Sequence, residues 1–146
     1  MVASGYFNPL HIGHIWYLRE SKKLGDKLIV IVCNDKQVKI KNSVPFMNEK
    51  ERMEIIASLK WIDEAVLSID QDETVCKTLE MIKPDIYTKG GDRTPDNMPK
   101  AEIDTCKKLG TKIVYGVGGK KIQSSSRLIE LCQLYPSSRR VSEKKD

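Results

Sequence analysis

Apolar runs and helical stripes alternate along the chain. Residues 28–33 (Leu-Ile-Val-Ile-Val-Cys) are continuously apolar, the pattern of a strand buried on both faces. Before them, Ile15 and Leu18 place apolar side chains at helical spacing in His14 to Leu24, with Trp16 and Tyr17 as further candidates and Gly25 as the stop. Asn48 and Glu51 form a capping-box pair, opening a helix through Met53, Ile56 and Leu59. Ala65 to Ser68 reads as a short strand. Glu73 to Lys83 reads as a helix that halts before Pro84. Ile86 to Thr88 is another buried strand. Pro99 to Leu109 is a helix closed by Gly110, and Lys112 to Tyr115 is a strand. Ser124 or Ser125 caps a last helix reaching about Leu134.

With Met1 to Ser4 as the first, this makes five strands alternating with helices. That order predicts an α/β fold: a Rossmann-like, doubly wound five-stranded parallel sheet with helices on both faces. Ligands in such sheets bind outside the carboxyl ends of the strands. The chemistry-bearing segments all follow strands: His11 and His14 the first, Asp35 the second, Gly90 to Asp92 the fourth, Ser124 the fifth. The topology therefore predicts that they converge on one crevice.

Composition sets bounds. At 146 residues and 40% hydrophobic, the chain suits one domain with a real core. We expect that domain over residues 1–135, followed by a basic, mobile tail over 136–146. No apolar run approaches the ~20 residues of a membrane span, and no secretory signal opens the chain. The cysteines show no C-x-x-C spacing and read as free, buried thiols of a cytoplasmic protein. The net charge of +5 suits polyanionic small substrates. Without aromatic-basic interleaving, it does not predict a nucleic-acid partner.

The most informative stretch is Gly5-Tyr6-Phe7-Asn8-Pro9-Leu10-His11-Ile12-Gly13-His14. A strand passing through a tight turn into a helix sets both imidazoles beside a helix N-terminus, where free N–H groups and the helix dipole attract phosphate. Imidazoles there can donate to phosphate oxygens as charge develops on them. A zinc pair is the rival reading, but it needs more ligands, and the chain has only these two histidines.

The string resembles the HxGH signature of the cytidylyltransferase-like nucleotidyltransferases. That superfamily includes glycerol-3-phosphate and ethanolamine-phosphate cytidylyltransferases, heptose-1-phosphate and phosphopantetheine adenylyltransferases, and archaeal FAD synthetases. Leu24 to Val30, Ile62 to Val66, Lys83-Pro84-Asp85-Ile86 with Lys89-Gly90-Gly91-Asp92, and Ser124 to Ile129 resemble further family motifs over about residues 2 to 134. The resemblance implies that His11 and His14 hold the NTP phosphates and stabilise the transition state, and that Lys41 reaches the triphosphate. Mg²⁺ is the implied cofactor and a homodimer the implied assembly.

The other site residues follow from the same segments. Gly13 allows close backbone approach, Gly5 lets the chain turn against a base or ribose, and Tyr6 and Phe7 lie between them in the phosphate-binding string. Asn8 stands where many relatives carry Asp, keeping hydrogen bonding but losing charge: either Mg²⁺ is held more weakly or differently here than by an Asp at this position, or Asn8 simply makes the turn. Lys39 and Lys41 fall in a polar loop, where a solvated role is the alternative. Arg52 either faces phosphate or pairs with an acid on the surface. Gly90 and Asp92 contact the ligand or form a tight turn. Ser124, Ser125 and Ser126 open the last helix towards the β- and γ-phosphates. Lys120 or Lys121 supplies the charge of a family arginine missing here.

The expected reaction is transfer of NMP from CTP or ATP to a small phosphorylated alcohol or sugar, with release of pyrophosphate. The alternatives are a coenzyme adenylyltransferase of the FAD synthetase type and a non-catalytic nucleotide-binding module.

Overall fold

The structure, a computed structural model, describes residues 1–134. The expected tail, 136–146, and the last residue of the expected domain lie outside them. Five strands, β1 (Val2–Gly5), β2 (Ile29–Val32), β3 (Glu64–Leu67), β4 (Ile86–Gly90) and β5 (Lys112–Val117), form one parallel sheet in the order β3-β2-β1-β4-β5. Six helices connect or follow them: α1 (Ile12–Lys22), α2 (Asp35–Ile40), α3 (Glu49–Ala57), α4 (Cys76–Ile82), α5 (Lys100–Leu109) and α6 (Ser125–Gln133). Among the described residues, no helix is long and apolar enough to cross a membrane.

The apolar run of β2 follows from its place in the sheet. Val30 and Val32 pack on one face with Ala3, Leu18 of α1 and Ile56 of α3. Ile31 packs on the other with Val2, Tyr87, Leu79 of α4 and Cys106 of α5. Successive side chains of a strand point to opposite faces, so a central strand covered on both must be apolar at every position. Each such buried side chain contributes roughly 1.5–3 kcal/mol.

The chain runs from β1 out to β2 and β3, then returns across β1 to β4, so the strand order reverses between β1 and β4. These two pair in register only at Val2↔Tyr87. Beyond that point the phenol of Tyr17, from α1, stands between them. Its oxygen accepts the Ser4 N–H of β1 at 3.2 Å and donates to the Thr88 carbonyl of β4 at 2.5 Å. The strands thus diverge without stranding buried backbone groups, and a crevice opens at their carboxyl ends. A register shift between Thr88 and Gly90 bends the β4–β5 ladder at the same end.

Some boundaries differ from the sequence reading. Lys39 and Lys41, expected in a polar loop, lie within and at the end of the helix α2. Asn34 caps it, accepting from the Gln37 N–H, while Gln37 bonds back to the Asn34 N–H. One and a half turns are too short for a periodic apolar stripe to register. Helix α4 begins at Cys76 rather than Glu73, because the Thr74 N–H and hydroxyl both bond to the Asp72 carboxylate and hold residues 72–74 in a turn. The thiols are free, but only Cys33 and Cys106 are buried; Cys132 is exposed.

Candidate active site

The crevice is a cleft of about 780 Å³. Fourteen of the fifteen residues expected at the site line it, from Gly5 in β1 to Ser126 in α6. The exception is Arg52.

His11 caps α1, so the helix begins two residues before the expected His14. The His11 Nδ1 accepts the Gly13 N–H, and the His14 Nδ1 accepts the His11 N–H, each at 3.1 Å. With both Nδ1 atoms accepting, the hydrogen of each neutral ring sits on Nε2. Both rings are held neutral. Burial, followed by the neighbouring His11 and Lys121, pushes the His14 pKa down to about 3. Burial, then Lys121, lowers that of His11. The pair therefore meets a phosphate as two neutral N–H donors.

Both glycines of this string line the cleft, and both also make room for aromatic rings. A Cβ at Gly5 would lie 2.8 Å from Cζ of Phe7, whose ring folds back over the strand. Phe7 adopts φ 51°, and its ring meets His14 edge-on at 5.0 Å. A Cβ at Gly13 would sit 3.0 Å from the His11 ring. Both glycines make room for aromatic rings that fix the histidines.

Asn8 is buried and spent on the chain. Its Nδ2 donates to the Val44 carbonyl at 2.8 Å, and its Oδ1 accepts the Met47 N–H at 3.3 Å. It therefore ties down the 44–47 loop and offers no free carboxylate-like oxygen. Among the described residues, no group of three or more His, Cys, Asp and Glu side chains is placed to hold a metal ion. The residues present do not fit Mg²⁺ held by the protein at position 8.

Lys41 is the C-cap of α2, with Nζ 6.0 Å from the ring centroid of Tyr6, so it stands as an exposed cation at the rim. Arg52 is neither a phosphate ligand nor a surface pair. It is 1% exposed, and its guanidinium donates to the carbonyls of Met47, Tyr6 and Cys33 and to Asp35 Oδ1 at 2.7 Å. It pins α3 beneath the β1 and β2 loops, and nearly all its donors are used.

Gly90 ends β4, and Gly91 lies against the loop after β5: a Cβ at Gly91 would fall 1.5 Å from the Gly119 carbonyl oxygen. The Asp92 carboxylate reaches Lys121 Nζ of that loop at 3.3 Å, an exposed pair. Lys120 is exposed at the cleft beside it. Ser124 caps α6 by accepting the Arg127 N–H, and Ser125 donates its hydroxyl to the Pro9 carbonyl at 2.9 Å. That bond moors α6 to the loop before His11. The amides of Ser125 and Ser126 open the helix and have no intrahelical acceptor.

Sequence reasoning missed Tyr17, Gly118 and Glu102 at the site, and it placed Lys89 in the Lys89–Asp92 motif without giving it a role. Gly118 adopts φ +89°, and a Cβ there would lie 2.8 Å from the Tyr17 backbone; the Gly118-Gly119 pair after β5 was its one visible signal. Tyr17 and Glu102 occupy unremarkable helix positions, and only the packing reveals them.

The sequence pattern of the cytidylyltransferase-like family matches residues 2–130. An FAD synthase of Methanosphaerula palustris is 38% identical over 132 residues, covering 89% of this chain and 84% of that protein. One from Thermoplasma volcanium is 40% identical over 114 residues, covering 77% of each. Among solved structures, a protein of Thermoplasma volcanium GSS1 described as a lipopolysaccharide core biosynthesis protein superposes with a TM-score of 0.70 at 38% identity. That match covers 82% of this chain and 96% of the other. The sheet order, the crevice at the β1–β4 reversal, the neutral histidine pair and these matches agree: the chain belongs to the cytidylyltransferase-like family and is a nucleotidyltransferase.

Proposed function

We propose that this nucleotidyltransferase is an FMN adenylyltransferase: the FMN phosphate attacks the α-phosphorus of ATP, forming FAD and releasing pyrophosphate. The observation that carries this is the set of relatives named FAD synthase at about 40% identity over most of the chain. They favour the coenzyme alternative over the phosphorylated alcohol or sugar first expected from the sequence, and ATP over CTP.

The site chemistry suits the transfer. The Nε2–H groups of His11 and His14 donate to α-phosphate oxygens and strengthen as negative charge gathers in the in-line transition state. Each neutral ring has its Nδ1 engaged by a backbone N–H, which keeps its single hydrogen on Nε2 for this bond. The α6 amides, Ser126 and the Lys120–Lys121 pair hold the β- and γ-phosphates. Lys41 draws the acceptor and donor phosphates together across their mutual repulsion. The attacking phosphate is already anionic at pH 7 and needs no general base.

A second reading, the phosphorylated sugar acceptor expected from the sequence, suits the description of the structural neighbour as a lipopolysaccharide core biosynthesis protein. One assay separates them: ATP, CTP, GTP and UTP, each with FMN, glycerol 3-phosphate, ethanolamine phosphate or a hexose 1-phosphate, read by pyrophosphate release and chromatography of the product. FAD formed from ATP and FMN, with kcat/KM at least about 100-fold above any other pair, supports the proposal. Preferred turnover of a sugar or alcohol phosphate overturns it.

A further inference from the structure

The cleft has a second half. The histidines enter from α1 on one face of the sheet, whereas Lys89 of β4 and Glu102 of α5 belong with the helices of the other face. Lys89 and Glu102 are 9% and 4% exposed, yet both line the cleft. Glu102 Oε1 accepts the Val75 N–H and bonds with the Tyr87 hydroxyl, each at 3.3 Å. Lys89 Nζ donates to the Tyr87 oxygen at 3.1 Å, and Ser4 Oγ bonds to the same oxygen at 2.7 Å. Tyr87 thus holds the carboxylate and the ammonium in place. Glu102 Oε2, however, has no hydrogen-bond partner and lies 3.9 Å from Lys89 Nζ. The buried hydroxyl of Tyr6, another residue that lines the cleft, has none either.

Unpartnered buried polar atoms are rare and costly. Here two occur in one cavity, and they differ in kind. Glu102 Oε2 can only accept. Tyr6 Oη can donate, and Lys89 keeps further N–H groups beyond the one given to Tyr87. Beside them the wall is apolar, made of the Tyr6 ring, Val75 and Met98. A polyol phosphate would leave that wall uncovered. A flat ring would cover it and could bring one polar edge to the floor.

We propose that this half of the cleft binds the acceptor's ring, a planar heteroaromatic system with an imide edge, its N–H meeting Glu102 Oε2 and its flanking carbonyls meeting Lys89 and Tyr6. This rests on the FMN reading, since the isoalloxazine carries such an edge at N3–H between two carbonyls. Lys89, Glu102 and Tyr6 are then the residues that select the acceptor, while the phosphate chemistry stays with the histidines.

The test uses the full chain and two ligands, FMN and N3-methyl-FMN, which keeps the ring and phosphate but replaces the imide hydrogen. Equilibrium dialysis gives Kd for each, and steady-state kinetics with ATP give kcat and KM. The wild-type protein should bind N3-methyl-FMN at least about tenfold more weakly. The Glu102→Gln variant, which can still accept from Val75 and Tyr87, should raise the FMN KM about tenfold, leave the ATP KM within about twofold, and shrink the discrimination against the methyl analogue to about threefold or less. Equal wild-type affinity for both flavins overturns the proposal whether or not the variant folds. FAD formation with no discrimination leaves the FMN reading standing and removes this one. Discriminating binding without adenylyl transfer from any NTP removes the FMN reading and, with it, the acceptor role proposed for this site. No binding of FMN at all removes both.

Discussion

The imidazoles of His11 and His14 stack with centroids 3.7 Å apart and planes at 23°. Two cations could not share that spacing at low cost, so the stack itself favours the neutral pair that burial enforces. Replacing His14 with alanine should lower kcat about 100–1000-fold, equivalent to roughly 3–4 kcal/mol of transition-state stabilisation. Far-UV circular dichroism should remain that of the native protein. Native-like turnover by a folded variant removes the catalytic assignment.

The same burial predicts a pH dependence of stability. In the unfolded chain His14 titrates near its ordinary 6.5, and in the folded chain near about 3. Between those values the unfolded state binds the extra proton, so stability falls as pH drops through that window. Urea unfolding at pH 4.5 and pH 7 should show the loss, and His14→Gln should reduce it. A variant as pH-sensitive as the wild type would mean that other groups govern the acid limb. Saturating ATP should oppose the loss, because anionic phosphate favours a protonated imidazole.

Arg52→Met should destabilise the fold by about 3–5 kcal/mol, since it leaves Asp35 and three carbonyls without their donor. Denaturant titration measures it. If Arg52 were instead a phosphate ligand, the variant would keep its stability and raise the ATP KM.

Tyr17→Phe removes the hydroxyl that spans Ser4 and Thr88. One buried donor and one buried acceptor lose their partner, at about 1–3 kcal/mol each. Amide exchange at Ser4 should quicken more than exchange in β2 or β3. Uniform quickening would show that the bridge does not hold the crevice locally.

Lys120 and Lys121 should act on the triphosphate as mobile charges. Changing both to alanine should raise the ATP KM, affect the acceptor KM much less, and matter less at high salt because both ammonium groups are exposed. The Asp92–Lys121 pair, being exposed, contributes little stability, so unchanged unfolding midpoints should accompany the kinetic effect. An equal rise in both KM values would point to a collapsed loop.

The amino-acid sequence alone determined the order of the five strands and of five of the six helices, the crevice and the histidine pair. These are local or periodic properties. A short run apolar at every position and rich in Val and Ile fits a strand covered twice, Asn48 with Glu51 makes its own cap, and a turn into a helix places His11 and His14 at the N–H groups of the first turn, two of which their rings accept. Tertiary structure decided what each polar side chain does once there. Arg52 and Lys41 are both cations near the β2 loop, yet one is walled in by three carbonyls and the other stands at the rim. Gly5 and Gly91 are equally small, but one yields to the Phe7 ring and the other to a loop 28 residues away in sequence. Glu102 sits in a helix pattern that marks it as solvated, and it is buried because β4 brings Lys89 and Tyr87 against it. Long-range packing sets desolvation and partnering, and no spacing along the chain encodes either.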